Sequence, residues 1–241
     1  MSYTENIFTK WLFPASIYCI SCGNIIDSTR PYSLCDNCAK SFKWIKGNTC
    51  RKCGKPLAQN ENGRVCSNCE EVSFRFDFGF ACVEYNCSKQ IIHSFKYGGR
   101  TYCGVSIAEI MFDRLAGELP ETDMVLPIPM FAQKERRRGF NQADVIGSRL
   151  ADMLNLPYEK HLLKRERDTG AMSRLKQSER AENINGAFGI HPGPASEIKG
   201  KRFLLVDDIY TTGSTMDACA GVLKRAGADA VFFIVFAVGS D

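Results

Sequence analysis

From Phe74 onward, apolar positions alternate or gather in short runs, and most runs are followed by a helical stripe. Phe74, Phe76, Phe78, Phe80 and Cys82 occupy every second position, the pattern of a half-buried strand. Ser88 is placed to cap a short helix carrying Ile91, Ile92 and Phe95, which ends before Gly98-Gly99. The pattern then predicts a helix over Val105–Leu115, a strand over Met124–Ile128, an amphipathic helix over Phe140–Leu154 and a short strand at Leu162-Leu163. A polar segment, Lys164 to Asn185, leads into a strand at Ala187–Ile190. Phe203 to Val206 reads as a buried parallel strand, Ser214 to Arg225 as a helix ending at Gly227, and Val231 to Val238 as the last strand. Strands and helices in alternation predict an α/β fold with a mainly parallel sheet and a site at the C-terminal ends of its strands.

Upstream of Phe74 that rhythm is missing. Ile7, Phe8, Trp11, Leu12 and Phe13 suit a short amphipathic helix packed on the body of the protein. Cysteine then sets the pattern. The CxxC pairs Cys19/Cys22, Cys35/Cys38, Cys50/Cys53 and Cys66/Cys69 form an internal repeat, each of the first four cysteines recurring 31 residues on. Gly23 and Gly54 follow the first pair of each repeat, and Asn37 and Asn68 lie within the second. Both residue types tolerate the left-handed backbone of a tight metal knuckle. CxxC-x12-CxxC, twice, predicts two four-cysteine zinc sites, structural because no coordination position is left for a substrate. Disulfides are the competing use, but the N-terminus has no signal-peptide pattern and cytosolic thiols stay reduced. Pairing within each repeat is preferred, and spacing leaves a cross-braced arrangement open. Lys40, Lys43, Arg51, Lys52 and Lys55 are at hand to offset thiolate charge. Cys82, Cys87, Cys103 and Cys219 lack ligand spacing, and the three histidines are scattered. The pattern changes at Glu70-Glu71-Val72, which divides the chain into an N-terminal helix and double ribbon (1–72) and a larger domain (73–241).

At 241 residues the chain can bury one full core and carry a small appendage. A hydrophobic share of 44% and a charged share of 24% are ordinary for a globular protein. The net charge of +4 is too small to declare a nucleic-acid binder, though it permits anionic substrates. The longest apolar run, Ala230 to Val238, is too short to cross a membrane, and a cytoplasmic location is expected.

The densest chemistry lies in Leu204-Leu205-Val206-Asp207-Asp208-Ile209-Tyr210-Thr211-Thr212-Gly213-Ser214-Thr215. A strand delivers two adjacent carboxylates, a hydroxyl-rich loop with one glycine follows, and a helix begins. Loop amides at a helix N-terminus, helped by those hydroxyls, suit a phosphate. Two carboxylates beside that cradle would repel a polyphosphate and are better suited to accept hydrogen bonds from sugar hydroxyls. The pair and the loop together point to a sugar phosphate. No GxxxxGK[ST] or GxGxxG occurs, which excludes a P-loop and leaves a dinucleotide site unsupported.

This segment resembles the phosphoribosyl pyrophosphate signature of type I phosphoribosyltransferases. The resemblance gives Asp207 and Asp208 the ribose hydroxyls, and Thr211, Thr212, Gly213, Ser214 and Thr215 the 5′-phosphate. Two further stretches narrow it: Phe95-Lys96-Tyr97-Gly98-Gly99-Arg100, and Lys134-Glu135-Arg136-Arg137-Arg138-Gly139-Phe140-Asn141-Gln142-Ala143 after Leu126-Pro127-Ile128-Pro129. With the four CxxC pairs, they resemble the ComF family, a cysteine-rich zinc ribbon joined to a phosphoribosyltransferase domain. That resemblance implies a type I phosphoribosyltransferase-like sheet with helices on both faces.

It also implies a mechanism. A nitrogen nucleophile displaces pyrophosphate from C1 of the ribose through an oxocarbenium-like transition state, so the protein mainly positions reactants and stabilises departing charge. Mg²⁺ would arrive with the donor and keep several waters. Arg136, Arg137, Arg138 and Lys96 would add positive charge. Lys164 to Asn185 would act as a lid, with Arg165, Arg167, Arg174, Lys176 and Arg180 reaching phosphate on closure. Relatives often carry Thr-x-x-Gln in that segment, whereas here Met172 follows Thr169 at that spacing. After Met1 the chain begins Ser2-Tyr3, so an N-terminal cysteine glutaminase is not expected. Two other readings stand beside the transferase. One is a DNA-uptake factor holding single-stranded DNA on Lys40, Phe42, Lys43, Trp44 and Lys46. The other is a phosphoribosyl pyrophosphate sensor without turnover.

Overall fold

The computed structural model describes residues 17–57, 64–169, 184, 186–192 and 198–239. The stripe at residues 7–13 lies outside them.

Four parallel strands make the central sheet, in the order β1 (Phe78–Glu84), β6 (Ala230–Val238), β5 (Arg202–Tyr210), β2 (Met124–Pro127). Apolar residues at consecutive positions cover both faces. Phe203, Leu205, Phe233 and Val235 enter one buried cluster, whereas Leu204, Val206, Phe232 and Ile234 enter the other. The ribbons carry two short helices, α1 (Asp36–Ser41) and α2 (Ser67–Glu71), and helices α3 (Tyr85–Tyr97), α4 (Cys103–Leu115) and α6 (Gln142–Leu154) supply the second cluster. Helix α7 (Ser214–Arg225) and the antiparallel pair β3 (Leu163–Arg165) and β4 (Phe188–Ile190) supply the first.

Several sequence expectations change here. The strand expected from Phe74 starts at Phe78, and it is buried on both faces rather than half-buried. Phe74 and Phe76 precede it and pack in the first cluster, whereas Phe80 and Cys82 lie in the second. Ser88 is no cap: α3 begins three residues earlier, and Ser88 Oγ donates back to the carbonyls of Glu84 and Tyr85. The basic stretch Lys134 to Arg138, for which the apolar pattern predicts no element, lies in a helix, α5 (Ala132–Arg138), ended by left-handed Gly139.

The ribbons clasp the β1 edge. Ile45 N donates to the Cys82 carbonyl and Glu84 N to the Lys43 carbonyl, so residues 43–45 continue the sheet beyond β1. From that seam the two ribbons part. Cys19, Ile20, Leu34 and Phe42 pack with α3 and α4; Ile45, Cys50, Cys53 and Cys66 pack with α7 on the opposite face. The β2 edge is covered by residues 157–159, through Val125 N to the Pro157 carbonyl and Glu159 N to the Val125 carbonyl. No helix among the described residues is long and apolar enough to cross a membrane.

Candidate active site and metal centres

Strand β5 is longer than its apolar run suggests, because β6 pairs with it through Tyr210. On the other side, β2 stops at Pro127, opposite Val206. Asp207 and Asp208 therefore keep one strand neighbour and lose the other, and the sheet opens beside them.

Alternation sends the two carboxylates to opposite faces. Asp208 is 5% exposed, and its Oδ2 lies 2.5 Å from Lys96 Nζ in the last turn of α3. Burial alone would lower the Lys96 ammonium, but Asp208 and then Asp207 attract it strongly enough that the net shift is upward. Asp207 turns the other way, close enough to Cys219 and Arg165 to influence both. Burial first, and the Asp208 charge second, push its carboxyl up to about 8. The pair is thus one carboxylate with a cation and one inclined to keep its proton.

Past Tyr210 the chain turns through Thr211 and Thr212 to Gly213, which precedes α7 with φ +82°. Glycine is needed there twice over: the backbone is left-handed, and a Cβ would lie 2.4 Å from the Tyr210 hydroxyl. Thr212 Oγ1 and Ser214 Oγ are 3.0 Å apart, and no side chain caps the helix. The first intrahelical bond is Asp217 N to the Gly213 carbonyl, which leaves the preceding amides free of helical partners for an anion.

Of the basic cluster, Arg136 and Arg137 stand exposed on α5. Arg138 turns inward: its guanidinium lies 5.3 Å above the Tyr97 ring, its Nη1 is 2.5 Å from Gln142 Oε1, and its charge acts against Lys96. Asn141 holds the motif in place, donating to the Ile128 carbonyl and capping α6 by accepting from Ala143 N. The expected lid is described only at its root. There Arg165 donates to Thr169 Oγ1, and Lys134 Nζ is 2.5 Å from Asp168 Oδ1, tying the root to α5. Burial lowers the Arg165 guanidinium, and its Nε finds no partner among the described residues. Met172, Arg174, Lys176 and Arg180 lie outside the described residues.

Sequence reasoning missed Tyr97, Gln142 and the distinct position of Arg165. Two signals were available: Tyr97 lies inside the quoted Phe95–Arg100 stretch, and Gln142 lies four residues after Arg138, one helical turn away.

The eight cysteines form two groups, Cys19/Cys22/Cys35/Cys38 and Cys50/Cys53/Cys66/Cys69, each with its sulfurs within 4.8 Å of one another. Pairing is therefore within each repeat. Tetrahedral zinc with Zn–S bonds near 2.3 Å sets its sulfurs about 3.8 Å apart. Cys22 and Cys35 sulfurs are 3.8 Å apart, and those of Cys53 and Cys66 are 3.7 Å apart. Backbone amides already point at sulfur, Cys35 N at Cys19 and Cys66 N at Cys50. Both groups fit zinc.

The aromatics proposed for single-stranded DNA are used in packing. Phe42 is buried, and Trp44 packs its ring on Phe42 and Tyr32 while its Nε1 donates to the Ala39 carbonyl. Lys43 pairs with Glu84.

Comparison with known proteins agrees with this architecture. Residues 8–70 match the double zinc ribbon domain and residues 104–240 the phosphoribosyl transferase domain. Competence protein F of Haemophilus influenzae is 26% identical over 220 residues, covering 88% of this chain and 93% of its own. Competence protein ComFC of Bacillus subtilis is 27% identical, covering 80% of this chain and 79% of its own. The DNA utilization protein YhgH of Escherichia coli K12 is 25% identical, covering 83% and 88%. Among solved structures, glutamine phosphoribosylpyrophosphate amidotransferase of B. subtilis matches 59% of this chain at 20% identity and a TM-score of 0.40, and the match spans 30% of that enzyme. With a phosphoribosyl transferase domain over more than half its length and a double zinc ribbon before it, the chain belongs to the phosphoribosyl transferase family and, within it, to the ComF proteins.

Proposed function

We propose that this protein binds phosphoribosyl pyrophosphate with Mg²⁺ and transfers the phosphoribosyl group to a nitrogen acceptor, in the cytoplasm and in connection with DNA uptake. The observation that carries the reading is the acidic dyad at the open end of β5, with Lys96 on buried Asp208 and the uncapped N-terminus of α7 one turn of chain away.

In this reading Asp207 and Asp208 accept hydrogen bonds from the ribose hydroxyls, and the amides and hydroxyls of Thr211 to Thr215 hold the 5′-phosphate. Arg138 and Lys96 face the leaving pyrophosphate, and Arg136 and Arg137 add charge from the α5 surface. Mg²⁺ comes as part of the substrate and neutralises pyrophosphate as it leaves. The segment that continues in sequence from Arg165 and Thr169 and includes Arg180 excludes water from the cation at C1. Pyrophosphate release with the donor, Mg²⁺ and a panel of amines and nucleobases tests transfer. Release that depends on one acceptor class and disappears in Asp208→Asn is expected; none with any acceptor would contradict it.

A second reading has its own observation. Tyr97 is an exposed aromatic next to Lys96, the partner of Asp208, and Arg138 lies over its ring. Aromatic faces beside cations suit single-stranded DNA at this rim rather than on the ribbon. Binding that weakens steeply with salt and is lost in Tyr97→Ala would support it.

A further inference from the structure

Beside the β1 edge, a cavity of about 350 Å³ opens between the first ribbon, residues 44–47 and the C-terminal half of α4. That is the size of a small-molecule site. It is lined by apolar Ile45, Cys82 and Ile110, by the aromatics Tyr32 and Trp44, and by charged side chains. None of its residues belongs to the dyad, the phosphate loop or α5, and the transfer reading gives the cavity no part.

Tyr32 is held there against its backbone preference. Tyr32 and Ser33 have φ +56° and +52°, two of the three non-glycine residues with positive φ among the described residues. Such a backbone disfavours a bulky side chain and persists where the surroundings fix it. Here Asp113 Oδ2 accepts from the Tyr32 hydroxyl at 2.5 Å, and the Trp44 ring lies 5.9 Å from that of Tyr32. Trp44 is fixed in turn by its Nε1 donating to the Ala39 carbonyl. The aromatic part of the cavity is therefore set in advance.

The charges then select the ligand. Arg114 is already engaged: its Nε donates to the Ala81 carbonyl at 3.2 Å, its Nη1 lies 2.9 Å from Glu118 Oε2, and its guanidinium is 5.3 Å above the Phe80 ring. Lys46 is exposed, and its long stem lets the ammonium remain in water. Asp113 accepts from Tyr32 and forms no ion pair among the described residues. An ionised carboxylate beside two aromatic rings attracts a cation and repels phosphate.

We propose that this cavity binds a small organic cation: a protonated amine paired with Asp113, its apolar body lying against Tyr32 and Trp44. The occupant touches the first ribbon, residues 44–47 and α4 at once, and so fastens that ribbon to the larger domain.

The test uses the zinc-loaded full chain carrying Trp11→Phe, which leaves Trp44 as its only tryptophan. The probe is phenethylamine, a primary amine with one aromatic ring. Trp44 emission should change saturably, and the amine should bind about tenfold more tightly than its neutral isostere 2-phenylethanol, the worth of one hydrogen bond to a charged acceptor. Asp113→Asn, which keeps an acceptor for Tyr32, should remove that preference with zinc content unchanged, whereas Lys46→Ala should leave it intact. Equal affinity for amine and alcohol, an emission change from neither, or a preference that survives Asp113→Asn would overturn the proposal. So would tighter binding of adenosine monophosphate that is lost in Lys46→Ala, the mark of an anion site. If Asp113→Asn does not fold, the comparison of amine with alcohol on the parent protein still decides. No outcome involves phosphoribosyl pyrophosphate, so failure of the transfer reading leaves these results standing.

Discussion

The segments Cys19–Cys38 and Cys50–Cys69 carry one pattern of cysteines and each gather four sulfurs within 4.8 Å, yet they sit in different surroundings. In the first ribbon Cys22 is exposed and Cys35 and Cys38 are half-buried; in the second Cys50, Cys53 and Cys66 are all buried. Tyr32 and Ser33 join the first to α4, the Tyr32 hydroxyl donating to Asp113 at 2.5 Å and Ser33 meeting Ser106 at 3.3 Å. The second shares a buried cluster with Tyr210, whose ring centroid lies 5.8 Å from Lys55 Nζ. Metal-ligand spacing is a local property of the repeat. What each centre supports is decided by the residues around it, and those do not repeat.

The largest effect that would separate the centres is loss of a ligand. A structural zinc contributes about 10 kcal/mol to its fold. Cys53→Ser should remove that support from the shared core and abolish both a cooperative thermal transition and donor binding. Cys22→Ser should release one zinc and leave the sheet folded. Equal losses in the two variants, followed by calorimetry and zinc content, would erase the distinction.

Glycine offers a gentler version. Gly23 and Gly54 occupy equivalent places with φ +78° and +74°. A Cβ at Gly23 meets nothing within 4 Å, whereas one at Gly54 would lie 2.5 Å from the Gly79 carbonyl oxygen. Gly23→Ala should cost about 1 kcal/mol for the left-handed backbone. Gly54→Ala should cost about 3 kcal/mol, because the knuckle must also move off β1. Denaturant midpoints of the two variants check this ordering.

A third contrast is a slope with pH, and it belongs to the face that carries the second ribbon. The carboxyl of Asp207 is raised in the folded chain, to about 8, from an unfolded value of about 4. The folded state therefore holds a proton that the unfolded state has given up. The resulting stability is complete below about pH 4 and is lost as pH rises through about 8. Asp207→Asn should flatten that part of the profile between pH 5.5 and 8.5. Parallel profiles for variant and wild type would contradict the assignment.

Much of this was readable in the chain. The helix at Ser214–Arg225 and the final strand follow from periodicity, and the two cysteine groups from spacing, because each is set by near neighbours. The length of β5 was not, since Asp207 and Asp208 are polar and only β6 alongside keeps them extended. The antiparallel pairing of β3 with β4 joins residues on either side of a long polar segment and leaves no local mark. The clasp on β1 and the contact of Tyr210 with the second ribbon are tertiary as well. Within the site, the dyad and loop were legible as a motif. The inward turn of Arg138, unlike Arg136 and Arg137, depends on Tyr97 and Gln142 and could be seen only in three dimensions.

The central claim is that the dyad and the adjoining loop grip an activated ribose, and calorimetry with phosphoribosyl pyrophosphate and Mg²⁺ tests it most directly. Zinc-loaded wild type should bind one donor per chain, and Asp207→Asn/Asp208→Asn should bind at least about thirtyfold more weakly, as removal of one charged acceptor at about 1.5–3 kcal/mol and one neutral acceptor at about 0.5–1.5 kcal/mol requires. Binding of equal strength by both proteins, or heat from neither, would contradict the account.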